Sequence, residues 1–197
     1  MEEGFKVIEA PAIVKERLNA YWKNNKHRMK EERWPKGATA VNHWASPTYI
    51  VKAKENGLRG SGARLEEVVK EATKQSLEQW THMEMRPAAV HGIRVYTEGA
   101  IIPPHVTGTR APLMHSAIVN VAQSLDESWI LELYKRDGAA VNITLEPGSM
   151  LHFESSFLID GVSRYILLLW CVIKLLLQLT RNIYSLHRHL ASFPIER

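Results

Sequence analysis

The stretch Tyr96-Thr-Glu-Gly99-Ala-Ile-Ile-Pro-Pro-His105-Val-Thr107 carries the residue types most suited to metal chemistry. A histidine two residues from a carboxylate along a strand puts both side chains on one face, because strands alternate with period two. A second histidine from a distant strand completes a facial set that holds Fe(II) and leaves positions open for small molecules. Here His105 is present, and the carboxylate position holds Thr107, a neutral hydroxyl. That is half of a motif, and taken alone His105 also reads as a surface or core-edge histidine. Other chemistries find no footing. The chain has no glycine-rich phosphate loop of the GxGxxG or GxxxxGK[ST] kind and no GxSxG nucleophile turn. Cys171 lies among leucines, which disfavours a thiolate, and as the one cysteine it forms no internal disulfide. His187 and His189, two apart on a basic segment, lack a third ligand and read as solvated.

Elements must position those residues. With 197 residues the chain is long enough to bury a core without covalent staples, and 45% hydrophobic with 23% charged residues is ordinary for a globular domain. Val14, Leu18, Tyr21 and Trp22 share one helical face, predicting a helix from Pro11 to about Lys30 whose far end, KNNKHRMKEER, is a solvated charged stretch. A short strand is predicted at Tyr49 to Lys52. Leu65, Val68, Val69, Ala72 and Trp80 stripe a second helix from about Arg64 to Trp80.

After Pro87 the rhythm changes to short runs of period two. Strands are predicted at His91 to Thr97, Ala100 to Pro103, His115 to Gln123, Trp129 to Lys135, Ala140 to Glu146 and Met150 to Ser155. Asp137-Gly138 marks a hairpin and Pro147-Gly148 another turn. Evenly spaced short strands behind two helices imply an α+β, mainly β fold. N-terminal helices pack on an antiparallel sandwich or barrel such as a jelly roll.

The charge is uneven. Val162 to Arg197 holds five Lys or Arg against one acid, which accounts for the whole net charge of +4. No basic face with aromatic neighbours spreads over the rest, so no nucleic-acid partner is expected. The same tail contains YILLLWCVIKLLLQL, Tyr165 to Leu179. It is short for a membrane span and carries Lys174, so a core helix or strand is the first reading and a membrane anchor the second. The opening MEEGFKVIEAP has two acids and no apolar run, so it does not read as a secretory signal, and a cytoplasmic location is expected. Three regions result: 1–86 helical and looped, 87–170 the β-core, and 171–197 a basic apolar tail.

From Gly92 to Gly161 the chain resembles the Fe(II)/2-oxoglutarate-dependent dioxygenases, in their prolyl 4-hydroxylase-like branch. The segments that carry the resemblance are IRVYTEGAIIPPHV, SAIVNVAQ, WILELYKRDGAAVNITLEPGSMLHFES and LIDG. Tyr96, Gly99 and His105 keep the family's spacing of a Tyr, a Gly three on and a His nine after the Tyr. The resemblance implies a double-stranded β-helix, the jelly-roll barrel, with Fe(II) at its open mouth and 2-oxoglutarate as cosubstrate. It implies hydroxylation of a C–H bond coupled to oxidation of 2-oxoglutarate to succinate and CO2, on a peptide or protein substrate. Against that pattern Thr107 stands where the family has Asp, and Asp160 where it has the distal His. The remaining metal set is His105 with Asp160. Tyr96 and Arg164 match the residues that meet the cosubstrate. No residue is assigned a catalytic role. The competing reading is a non-catalytic jelly-roll binding protein, tethered to a membrane by residues 165–179 in one version.

Overall fold

The computed structural model describes residues 4–33, 46–106, 114–124, 130–135, 138–154, 158–162 and 167–177. Thr107 and Arg164 lie outside them, as do Asp137, His187 and His189.

Chain order begins with β1 (Phe5–Glu9), α1 (Ala12–Asn25), β2 (Lys30–Glu31), β3 (Thr48–Lys52) and α2 (Ala63–Thr81). It continues with β4 (Met85–Thr97), β5 (Ile101–Val106), β6 (Met114–Ser124), β7 (Ile130–Tyr134), β8 (Ala140–Thr144) and β9 (Ser149–Glu154). β10 (Leu158–Val162) and β11 (Leu167–Leu177) complete it. All strand pairings are antiparallel. One sheet has seven strands in the order β1-β9-β6-β11-β4-β3-β2, and the other has four, β5-β10-β7-β8.

Alternation along the strands splits the interior in two. Ile93 and Val95 of β4, with Ala117, Val119 and Val121 of β6, join Val14 and Leu18 of α1 and Leu65 and Val69 of α2 in one buried cluster. The opposite face of the same strands presents Tyr96 and Ile118. These cluster with Leu131 and Leu133 of β7, Ile143 of β8, and Leu151 and Phe153 of β9. Helices therefore cover one face of the large sheet, and the small sheet covers the other. The chain crosses between sheets at Glu146–Ser149, where the Ser149 amide donates to the Glu146 carbonyl at 2.9 Å and Gly148 takes a φ of 87°. That left-handed position suits glycine, which has no Cβ to clash.

Both helices fall where the apolar spacing places them, but α1 ends at Asn25, five residues short of the expected Lys30. The Asn25 amide reaches back to the Tyr21 carbonyl at 2.8 Å and across to the Arg59 carbonyl at 2.9 Å. Asn and Asp side chains commonly compete with helical hydrogen bonds in this way. Beyond it, Lys30–Glu31 pairs with β3, so the stretch read as solvated is partly a sheet edge. β1 and β10 have no counterpart among the predicted strands.

The run within 165–179 is a strand where described. β11 lies between β4 and β6, pairing Leu169 with Val95 on one side and Ala122 on the other. An apolar run this short does not tell helix from strand by periodicity. The boundary expected at 170/171 falls inside β11, and that at 86/87 falls inside β4. Because β1, β2 and β3 also join the seven-stranded sheet, the N-terminal region contributes strands to the same layer as the core. Among the described residues no helix is long and apolar enough to cross a membrane.

Candidate functional site

β4 alternates, so Arg94 and Tyr96 share the face turned toward the small sheet while Ile93 and Val95 face the helices. Tyr96 is buried among the apolar residues between the sheets. Arg94 donates from Nε to Glu32 Oε2 at 2.6 Å and from Nη2 to Glu32 Oε1 at 2.7 Å. Both side chains are 14% exposed. The Thr48 hydroxyl donates to Glu32 Oε2 at 3.1 Å, and the Glu32 amide donates to the Thr48 carbonyl at 2.8 Å. Burial opposes the Arg94 charge, but Tyr96 and then Glu32 outweigh it and hold the guanidinium protonated above its ordinary value. This is a bidentate, partly desolvated pair, the strong geometry for an arginine and a carboxylate. Glu32 belongs to the stretch read from sequence as solvated, and here it neutralises a buried cation instead.

His105 lies in β5 and Asp160 in β10, which are hydrogen-bonded neighbours. His105 is paired with Ile159, and Ile159 with Leu133 of β7, which is fully buried between the sheets. Asp160 is paired with Glu132. Directly paired positions share a face and successive positions alternate. The His105 position therefore lies on the Leu133 face of the small sheet and the Asp160 position on the Glu132 face. Among the described residues no group of three or more His, Cys, Asp or Glu could hold a metal.

Two histidines that sequence reasoning passed over are packed between α2 and the outer face of the large sheet. His115 of β6 is paired with Glu154 of β9, and Ala117 with His152, which places the imidazoles on neighbouring strands and one face. Trp80 of α2 stands edge-on to His115 at 6.0 Å between ring centroids and tilted to His152 at 5.8 Å. Ser76 Oγ lies 3.2 Å from His152 Nε2. Both ring nitrogens of His115 and Nδ1 of His152 are buried without a hydrogen-bond partner. The available signal was their setting, HSAIV and MLHF, where a histidine sits in an apolar strand.

Burial lowers the pKa of His115, opposed by Glu154. Burial, then Lys6 and His115, push His152 down to about 4. The unfolded chain thus takes up a proton near pH 6.5 that the folded chain refuses until about pH 4. Stability is full above pH 6.5 and falls as pH drops toward 4, by about 3 kcal/mol for His152. Urea titrations across that window should show the decline, and His152→Leu should flatten much of it. An unchanged slope in the variant would exclude His152 as the source.

Neither a family model nor a curated protein sequence matches the chain. Solved structures do. A prolyl-4-hydroxylase of Pseudomonas putida superposes with a TM-score of 0.63 at 15% identity, over 90% of this chain and 94% of that one. A 2OG-Fe(II) oxygenase family oxidoreductase of Burkholderia pseudomallei gives a TM-score of 0.66 at 13% identity, over 89% and 86%. A Trichoplax adhaerens prolyl hydroxylase, solved with a hypoxia inducible factor peptide fragment, gives 0.60 at 12% identity, over 96% and 88%. The chain has the fold of these 2OG-Fe(II) oxygenase structures. Tyr96, His105 and Asp160 belong to β4, β5 and β10.

Proposed function

We propose that this chain is a prolyl 4-hydroxylase-like jelly-roll protein of the Fe(II)/2-oxoglutarate oxygenase kind whose iron set is incomplete. Hydroxylation of a C–H bond is the chemistry such a fold supports when a three-ligand iron and 2-oxoglutarate are bound. The observation that supports the reading is the β5–β10–β7 register, in which His105 aligns through Ile159 with Leu133 and Asp160 aligns with Glu132. One imidazole with no converging carboxylate holds Fe(II) weakly. A peptide, the class of ligand on the Trichoplax protein, is the proposed ligand of this chain. Arg164 and Tyr96 are the residues proposed to meet a 2-oxoglutarate carboxylate. Arg94, beside Tyr96, is already neutralised by Glu32 and is not free for that role.

The test is anaerobic Fe(II) titration with and without 2-oxoglutarate, following the visible charge-transfer band. No band is expected from the natural chain. A band that needs both components would overturn the reading and restore an active oxygenase. The register also sorts two repairs. Thr107→Asp rebuilds the His-x-Asp spacing with His105 and should raise Fe(II) affinity about tenfold or more. Asp160→His added to it should give no comparable further gain, because its position lies on the other face.

A further inference from the structure

A cleft of about 390 Å³ lies between α1 and the start of α2, on the helical side of the molecule and away from the sheet interior. Arg17 of α1, Arg59 of the connecting loop and Arg64 of the first turn of α2 all line it, over a floor that includes Tyr21, Leu65 and Val68. Among the described residues no acidic one lines it. Among the described residues none of these three arginines has an ion-pair partner. The carboxylates nearest Arg59 and Arg64 in sequence are already taken: Glu55 by Lys30, and Glu66 by Lys54 and Lys70. Three unpaired guanidiniums on one cleft repel one another, and a bound anion relieves that repulsion.

The cleft is also built to hold its shape. Asn25, 2% exposed, clasps the Arg59 backbone from both sides, accepting from its amide at 2.9 Å and donating to its carbonyl at 2.9 Å. The Tyr21 hydroxyl donates to the Lys52 carbonyl at 2.6 Å, which fixes the ring in the floor. A preorganised site spends less of its interaction energy on ordering.

We propose that this cleft binds a small phosphate monoester with a ring-sized apolar part. A phosphate dianion offers enough oxygens and charge for several guanidinium forks, whereas a single carboxylate satisfies one. The volume exceeds what a bare phosphate fills and lies within the usual range for small-ligand pockets. The apolar floor takes the remainder. The inference does not depend on the iron reading, because none of these residues belongs to either sheet.

Phenyl phosphate is the probe, titrated calorimetrically into the full chain at physiological salt. Saturable binding tighter than about 1 mM is expected, and about tenfold tighter than inorganic phosphate. Arg17→Gln, Arg59→Gln and Arg64→Gln should each weaken it by about tenfold, with thermal midpoints unchanged because all three side chains are exposed. Lys23→Gln, an exposed cation of α1 outside the cleft, should leave it as it was. Three outcomes would each overturn the proposal. They are no saturation with phenyl phosphate, arginine variants that bind like the natural chain, or Lys23→Gln weakening binding as much as they do. Inorganic phosphate binding as tightly as the ester would overturn the ligand class.

Discussion

Gly92→Ala should abolish stable folding, at a cost above about 4 kcal/mol out of the 5–15 kcal/mol typical of a domain. Gly92 lies in β4 with a φ of 129°, a backbone region that side-chain-bearing residues avoid. A Cβ there would meet the Val51 carbonyl oxygen at 2.2 Å, Lys52 Cα at 2.8 Å and Ala53 N at 2.9 Å. All three are backbone atoms of β3 and its continuation, so no flexible side chain can step aside. The glycine sits at a bulge, where the β4–β11 register slips between the Cys171–Ile93 and Ile173–Val90 pairs. An extra residue there bends the strand. Below it β4 runs beside α2, and above it Arg94 and Tyr96 turn into the space between the sheets. Soluble yield and circular dichroism decide the matter. A folded variant with a urea midpoint near that of the natural chain would mean β3 can retreat from the bulge.

Glu32→Ala should cost about 4 kcal/mol, because it removes the carboxylate bonded at both Nε and Nη2 of a largely buried guanidinium. The bond from the Thr48 hydroxyl to Glu32 goes in the same step. Removing both charges is a different perturbation. Glu32→Leu with Arg94→Leu should recover most of the loss, since an apolar pair of similar bulk pays no desolvation. A double-mutant cycle by urea denaturation measures the coupling. Additive losses would mean that Glu32 contributes nothing special to holding Arg94.

Local pattern was legible and long-range pairing was not. The spacing of Leu65, Val69, Ala72 and Trp80 placed α2 to within a residue at each end, because a helix is set by its own neighbours. The period-two runs placed β4, β6, β7, β8 and β9 for the same reason. Glu32 and Arg94 illustrate the limit. Nothing in the charged run around Glu32 distinguishes the one acid that crosses to β4. His105 and Asp160 illustrate it more sharply. Both were found by motif, yet whether they converge depends on which residue of β10 faces Leu133, and a one-residue slip reverses every side chain in a strand. His115 and His152 were missed because their partner, Trp80, comes from a helix that packs across the sheet.

The place of β11 has a consequence for synthesis. β4 and β6 do not pair with each other; both are completed by a strand that follows them in the chain. A nascent chain that has emerged only as far as β9 therefore carries two open edges in what becomes the middle of its largest sheet. Open edges are templates for pairing with other chains. Threading the last strand between two waiting ones is a late, non-local step, and such steps fold slowly. The interval between the appearance of β9 and the docking of Leu167–Leu177 is when this protein is most in need of a chaperone.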